Sequence, residues 1–466
     1  MNETDRHDSP RDDLPLVSHR WKKLNMTTPS TPAQTGPSPE RRLDEHSKVA
    51  LLCSELIRHD SSVCGDLERG VAERVAAELS DMSLESKLLE QQPRRTNVVT
   101  RIEGTDRSAP ALLVHIHLDV VPADPGTWRV PPYAGEIRDG CVWGRGAVDM
   151  KDMAAMTLVA LRELLDSGWR PRRDIVLAFV ADEELGGSAG ARWLVEEHAE
   201  LFEGCSEAIG EAGGFSHEYA PGRRAYLVQS GEKGIGWLRL VARGPGGHGS
   251  MLHTENPVVR LSEAIQRLER HDFGLRLCNS TTGLVEAAKN WYNTDDAESA
   301  LHATGSLAKL LVPTLRNTYN ATELHAGLQH NVVPSIAEAL VDGRFVPGFE
   351  TEFYQEIQDL LSDLVEVQPV FRNDALETPF VGRVPDAIVS SLAAEDPDGV
   401  TVPTCLPIGS DAKHFARLGI RCYGFVPLRL PSSFDFPAMF HGVDERVPVS
   451  ALNFGQQVLQ RFFSAC

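Results

Sequence analysis

Leu112-Leu113-Val114-His115-Ile116-His117-Leu118-Asp119-Val120 reads as a strand buried on both faces, because so long an apolar run rich in β-branched residues leaves no side for water. A Pro/Gly-rich loop follows, then a helix from about Lys151 to Leu165 and a second buried strand, Ile175 to Ala181. Strands alternating with helices predict an α/β sheet. In open α/β sheets ligands bind at the carboxyl ends of the strands, so the polar residues just past these runs carry the functional information.

Outward from this centre, helical periodicity starts near Leu43, with Val49, Leu52 and Ile57 on one face, and a second helical stretch spans Leu67 to Leu79. Beyond Gly231 the order changes to strand Gly236–Ala242, helix Pro257–Leu268, strands Leu315–Ala321 and Ile336–Val346, helix Glu352–Leu364 and strand Val365–Phe371. That β-α-β-β-α-β order is ferredoxin-like. Ile420–Val426 and a last helix, Val449–Phe463, resume the first style, so the second unit reads as an insertion. The expected layout is a tail at 1–40, a first catalytic part at 41–230, an inserted unit at 231–372 and a second catalytic part at 373–466. The tail is polar and Pro/Ser/Thr-rich, which predicts disorder and leaves Met1 or Met26 as the start.

Composition narrows the class. The chain has 466 residues, with 46 Lys plus Arg against 66 Asp plus Glu and a net charge of −20. Such a field repels phosphate backbones and anionic lipid, so neither nucleic acid nor a membrane surface is an expected partner. No apolar run approaches the roughly 20 residues of a spanning helix, and a soluble chain is expected. Eight cysteines without a C-x-x-C pair match no disulfide framework or structural zinc site, which points to a reducing, cytoplasmic compartment.

Three segments concentrate chemistry. In His117-Leu118-Asp119 the polar residues share one face of a strand, as suits a metal ligand and the group that orients it; His115 competes for the role. Gly144-Arg145-Gly146-Ala147-Val148-Asp149-Met150-Lys151 sets an Asp before a helix, where a helix cap is the alternative reading. Asp182-Glu183-Glu184 crowds three carboxylates at the end of a core strand, a conflict that a metal ligand beside a proton carrier resolves. Glu211 and His441 are weaker candidates. Two imidazoles and three carboxylates (His117, Asp149, Glu184, Glu211, His441) suit two adjacent divalent ions, zinc first, with manganese or cobalt tolerating the same donors.

At these motifs the chain resembles the di-zinc metallopeptidases that include aminoacylase, glutamate carboxypeptidase, carnosine dipeptidase and succinyl-diaminopimelate desuccinylase. The resemblance runs from about Leu43 to Phe463 and includes Gly247-His248-Gly249-Ser250, Asn331-Val332-Val333-Pro334 and His441-Gly442-Val443-Asp444-Glu445-Arg446. It implies that Asp149 bridges two ions, with His117 and Glu211 completing one site and Glu184 and His441 the other. Glu183 would be the general base, Asp119 would hold the ring of His117, and the Asp149–Met150 peptide would be cis. The inserted unit would be a lid and dimerisation domain whose His248 stabilises the oxyanion, in cis or from a second copy. Asn331 would line the substrate site, and Arg344 would grip the substrate carboxylate together with the Gly409-Ser410 loop.

Three departures stand out: Ile116 and Asp152 occupy positions where glycine is usual, and Glu211 lies in a motif one residue longer than the usual one. None removes a ligand. The expected activity is metal-dependent cleavage of an amide in a short peptide or N-acyl amino acid. The alternatives are a biosynthetic N-deacylase of the desuccinylase type and a non-catalytic peptide-binding relative.

Overall fold

The computed structural model describes residues 47–466; the expected tail and both candidate starts lie outside them. A ten-stranded sheet organises the larger unit. At its centre Ala111–His117 runs parallel to Ile175–Val180 on one side and to Cys205–Gly210 on the other. Every residue of Ala111–His117 and Ile175–Val180 is buried. The period of two divides these strands between two cores. Leu112, Val114 and Ile116 pack with helices Lys48–Ile57, Lys151–Asp166 and Val449–Ala465, whereas Leu113, Val176 and Ala178 pack with helices Ala191–Glu197 and Ala412–Ala416. Covering of both faces explains why these strands read as continuous apolar runs.

On one side of the centre Thr96–Ile102 joins Ile175–Val180 antiparallel and Ser86–Glu90 closes the edge. On the other, Arg421–Gly424 runs parallel to Cys205–Gly210 and leads to Arg223–Glu232, which Val400–Leu406 joins in parallel. Strands from beyond residue 400 therefore complete a sheet begun before residue 100.

Between them lies a separate antiparallel sheet in the order Thr318–Ala326, Ile336–Phe345, Gly234–Arg243, Glu366–Asn373. Helices Pro257–Arg270 and Glu350–Leu361 cover one face around Leu238, Leu240, Leu261, Val341, Phe353 and Ile357. The first strand lies between the third and the fourth, the ferredoxin-like arrangement. Local chemistry sets the first helix: Asn256 caps it by accepting the Val258 N–H at 3.0 Å, and Pro257 fills the first turn, where no amide partner is needed.

Two features differ from the sequence expectation. The second strand of the inserted unit is Thr318–Ala326 rather than Leu315–Ala321, because Val312–Leu315 forms a 3-10 turn and buries Leu315 in the larger core. Helices Asn279–Tyr292, Ala297–His302 and Ala308–Leu311 also interrupt the inserted unit. Their Leu284, Val285, Leu301 and Leu311 pack into the catalytic core, so part of the 231–372 span belongs physically to the host. Lys233 ties the outgoing and returning connections: its buried ammonium donates to Pro313 O at 3.0 Å, Arg316 O at 2.8 Å and Thr318 Oγ1 at 2.8 Å. Among the described residues no helix is long and apolar enough to cross a membrane.

Candidate metal centre

The ends of the three central parallel strands deliver His117, the Glu183–Glu184 turn and Glu211 to one place, as the sheet geometry requires. His117 is fully buried and held by its ring: Nδ1 lies 3.0 Å from the Asp119 carbonyl and 3.6 Å from Oδ1. Its Nε2 lies 2.9 Å from Asp149 Oδ1 and 3.3 Å from Glu211 Oε2. Asp149 enters from the loop before helix Lys151–Asp166, through a cis Asp149–Met150 peptide. His441 Nε2 meets Asp149 Oδ2 at 3.4 Å and Glu184 Oε2 at 3.0 Å. Asp149 thus stands between the two histidines. Ligand atoms of Asp149, Glu184 and His441 lie within 4.8 Å of one another, and those of His117, Glu211 and Glu183 do likewise.

So many carboxylates in a buried space strain the electrostatics. Burial and the Glu211 charge push the carboxyls of Glu183 and Asp411 well above their ordinary values, and burial raises Glu184. Burial opposes a charge on His117, but Asp119, Asp149 and Glu211 outweigh it and push its pKa above the ordinary value. Asp149 and Glu184 lift His441 to about 10. Asp411 Oδ2 is buried without a hydrogen-bond partner among the described residues. Excess negative charge and an all-imidazole and carboxylate donor set fit divalent cations.

Several residues are placed in ways the sequence did not convey. The Asp119 carboxylate accepts the Glu183 N–H at 3.1 Å and the Glu184 N–H at 3.0 Å, so it fixes the acidic turn, while its main-chain carbonyl orients His117. His115 is buried against Phe415 and kept neutral, its pKa lowered to about 3 mainly by burial, and it is not among the ligand groups. Asp182 is structural, accepting from Ser188 Oγ at 2.8 Å and the Ala189 N–H at 2.9 Å.

His248 is exposed on a short ribbon formed by Gly247–His248 and Val332–Val333, its ring 2.8 Å from Ser250 Oγ; Asn331 accepts the Gly249 N–H through its carbonyl. Neither joins the ligand groups. Arg344 is bonded to Asp342 through Nε at 2.6 Å and Nη2 at 2.9 Å. Its register partner Ile235 lies against Gly409. Ser410 spends its hydroxyl on buried Glu232 at 2.7 Å. Asp411 went unread, although its main-chain N–H reaches Glu211 Oε1 at 3.2 Å; the only sequence signal was its place in the loop already singled out.

A family model described as peptidase family M20/M25/M40 matches residues 113–465. A probable carboxypeptidase S-like 2 of Dictyostelium discoideum is 28% identical over 383 residues, covering 76% of this chain and 71% of that protein. The N-fatty-acyl-amino acid synthase/hydrolase PM20D1 of Xenopus tropicalis is 28% identical over 397 residues, covering 76% and 72%. Among solved structures, the M20 family metallo-carboxypeptidase Sso-CP2 from Sulfolobus solfataricus aligns with a TM-score of 0.67 at 19% identity, covering 90% of this chain and 98% of that one.

Proposed function

The chain belongs to peptidase family M20/M25/M40, and on that premise we propose that it hydrolyses the amide bond of a short peptide or N-acyl amino acid carrying a free carboxylate. The observation that carries this reading is the pair of ligand groups meeting at Asp149. His117 and Glu211 would hold one divalent ion, Glu184 and His441 the other, and Asp149 both. Bound there, such ions polarise a carbonyl oxygen and make water a better nucleophile. Zinc suits the donors best, with manganese and cobalt as alternatives.

Glu183 would accept the proton of the attacking water and pass it to the leaving amine. Its main-chain anchor on Asp119 keeps the carboxyl at the site while it changes protonation. His248 would approach the developing oxyanion from the lid, in cis or in trans, and its exposed place on a ribbon leaves it free to do either. Arg344 and the Gly409-Ser410 loop would hold the substrate carboxylate, with Asn331 lining the substrate site from the lid. The Arg344 fork has its Nε edge occupied by Asp342, which leaves the Nη1 side for a ligand. Pairing through the lid would make a homodimer. All eight cysteines are free thiols, which favours a reducing, cytoplasmic setting.

The test is reconstitution of metal-free protein with zinc, manganese or cobalt, followed by assay of free-amine release from dipeptides, N-acetyl and long-chain N-acyl amino acids, and N-succinyl amines. Turnover on the first classes supports the proposal. Turnover confined to N-succinyl amines would favour the biosynthetic deacylase, and metal binding without turnover a binding protein.

A further inference from the structure

The two histidines of the centre are held in different ways. His117 is clamped by its ring, whereas the His441 side chain is 53% exposed and its backbone sits at a φ of 55°, the left-handed region that a residue with a Cβ occupies only when its surroundings enforce it. Behind the loop lies a buried ion pair. Arg145 Nη1 donates to Glu445 Oε2 at 2.6 Å, and Nη2 reaches the His441 carbonyl at 3.2 Å. The other Glu445 oxygen accepts the Val148 N–H at 2.9 Å, one residue before Asp149. The side chains of Arg145 and Glu445 are 5% and 0% exposed, and the Arg145 guanidinium lies over the Trp128 ring. A tight turn completes the mount, since a Cβ at Gly442 would stand 2.0 Å from Ala438 O.

We propose that Arg145 and Glu445 form a positioning pair that locks His441 and Asp149 in register, with Arg145 acting selectively on the ion position served by His441 and Glu184. Both side chains are buried behind the loop rather than open to the site. The planar guanidinium makes the two bonds from two separate nitrogens in a fixed fork, a spread that an ammonium, whose donors share one nitrogen, does not match. The inference rests on the two-ion reading above and adds to it the assignment of one ion position to a residue outside the ligand set. Partners of metal ligands typically govern about 10–100-fold in affinity.

The experiment uses metal-free full-length protein titrated with Co²⁺, read by calorimetry and by the visible absorption of the bound ion. Wild type should take up two ions, and His441→Ala should mark the pattern left when that position is impaired. Arg145→Lys keeps the charge beside Glu445 but loses the arm to His441. It should bind the first ion within about threefold of wild type and the second at least about tenfold more weakly, matching His441→Ala while its own His441 is intact. Arg145→Met with Glu445→Met removes both buried charges together and provides a folded comparison if the lysine variant does not fold. It too should weaken the second ion. Failure of wild type to bind a second ion would overturn the two-ion reading itself. Two wild-type affinities in folded Arg145→Lys, or in the double variant, would overturn the positioning role and leave the two-ion reading standing.

Discussion

Glu183→Gln separates two roles that the geometry places side by side, since Glu183 lies within ligand distance of His117 and Glu211 yet is assigned to carry protons. The substitution keeps the size and shape of the side chain. It leaves the main-chain bond from Glu183 to Asp119, 3.1 Å long, intact, so the turn that carries Glu184 should hold its place. Burial and the charge of Glu211 already disfavour an ionised carboxyl here, so the neutral amide should not lower the melting temperature. Removal of a general acid–base typically costs at least about a hundredfold in turnover, equivalent to about 2.7 kcal/mol in the barrier. The expected result is therefore a fall of that size in kcat for amine release, with two metal equivalents retained by elemental analysis and an unchanged melt. Loss of one metal equivalent together with turnover would make Glu183 a ligand, and near-normal kcat would remove it from the chemistry.

Other outcomes follow from the same structure. Glu184→Ala and His441→Ala should each reduce metal occupancy as well as turnover, measured on dialysed protein. Arg344→Ala should lower kcat/KM for free-carboxylate substrates by roughly 10–100-fold, the worth of a charge-assisted bond of about 1.5–3 kcal/mol, but much less for the matching amides; equal losses would make Arg344 a support for the lid. Asp152 is fully buried, both its oxygens lack partners among the described residues, and burial raises its pKa well above the ordinary value. Below about pH 3.9 the carboxyl is protonated whether folded or not, but above that value only the unfolded chain ionises, so stability falls as pH rises, by about 1.4 kcal/mol per unit separating the two pKa values. Asp152→Asn should accordingly melt higher than wild type at pH 7 and lose that advantage near pH 4; a lower melting temperature at pH 7 would show that Asp152 has a stabilising partner.

The catalytic sheet was legible because its central strands are apolar throughout and the ligands follow them directly: His117, Glu184 and Glu211 are all defined by where a buried run stops. His441 was a weak candidate until the resemblance supported it, since its loop adjoins no such run. The helices at 279–311 were missed although Leu284, Val285 and Ala288 recur at helical spacing, because a helix that packs on the host from within an insertion has no sequence mark of which core it joins. That Asp119 adjoins the His117 ring was legible from the spacing of two; that its own main-chain carbonyl makes the closer contact was not, since a sequence shows side chains and not which way a carbonyl turns. Asp342, two residues from Arg344 on one strand face, was readable as a partner from period alone.

The order of strands in the large sheet has a consequence for how the protein is made. Arg223–Glu232 needs Val400–Leu406 and Arg421–Gly424 as neighbours, and both leave the ribosome only after the inserted unit. The insertion has its own sheet and core, so it can fold on emergence, while the strands before it wait with an open edge and a carboxylate cluster lacking His441. An unpaired buried-type edge is a template for pairing with other chains. Aggregation during synthesis should therefore track the delay between residues 232 and 400, and slowing elongation across that interval should harm yield more than slowing it elsewhere.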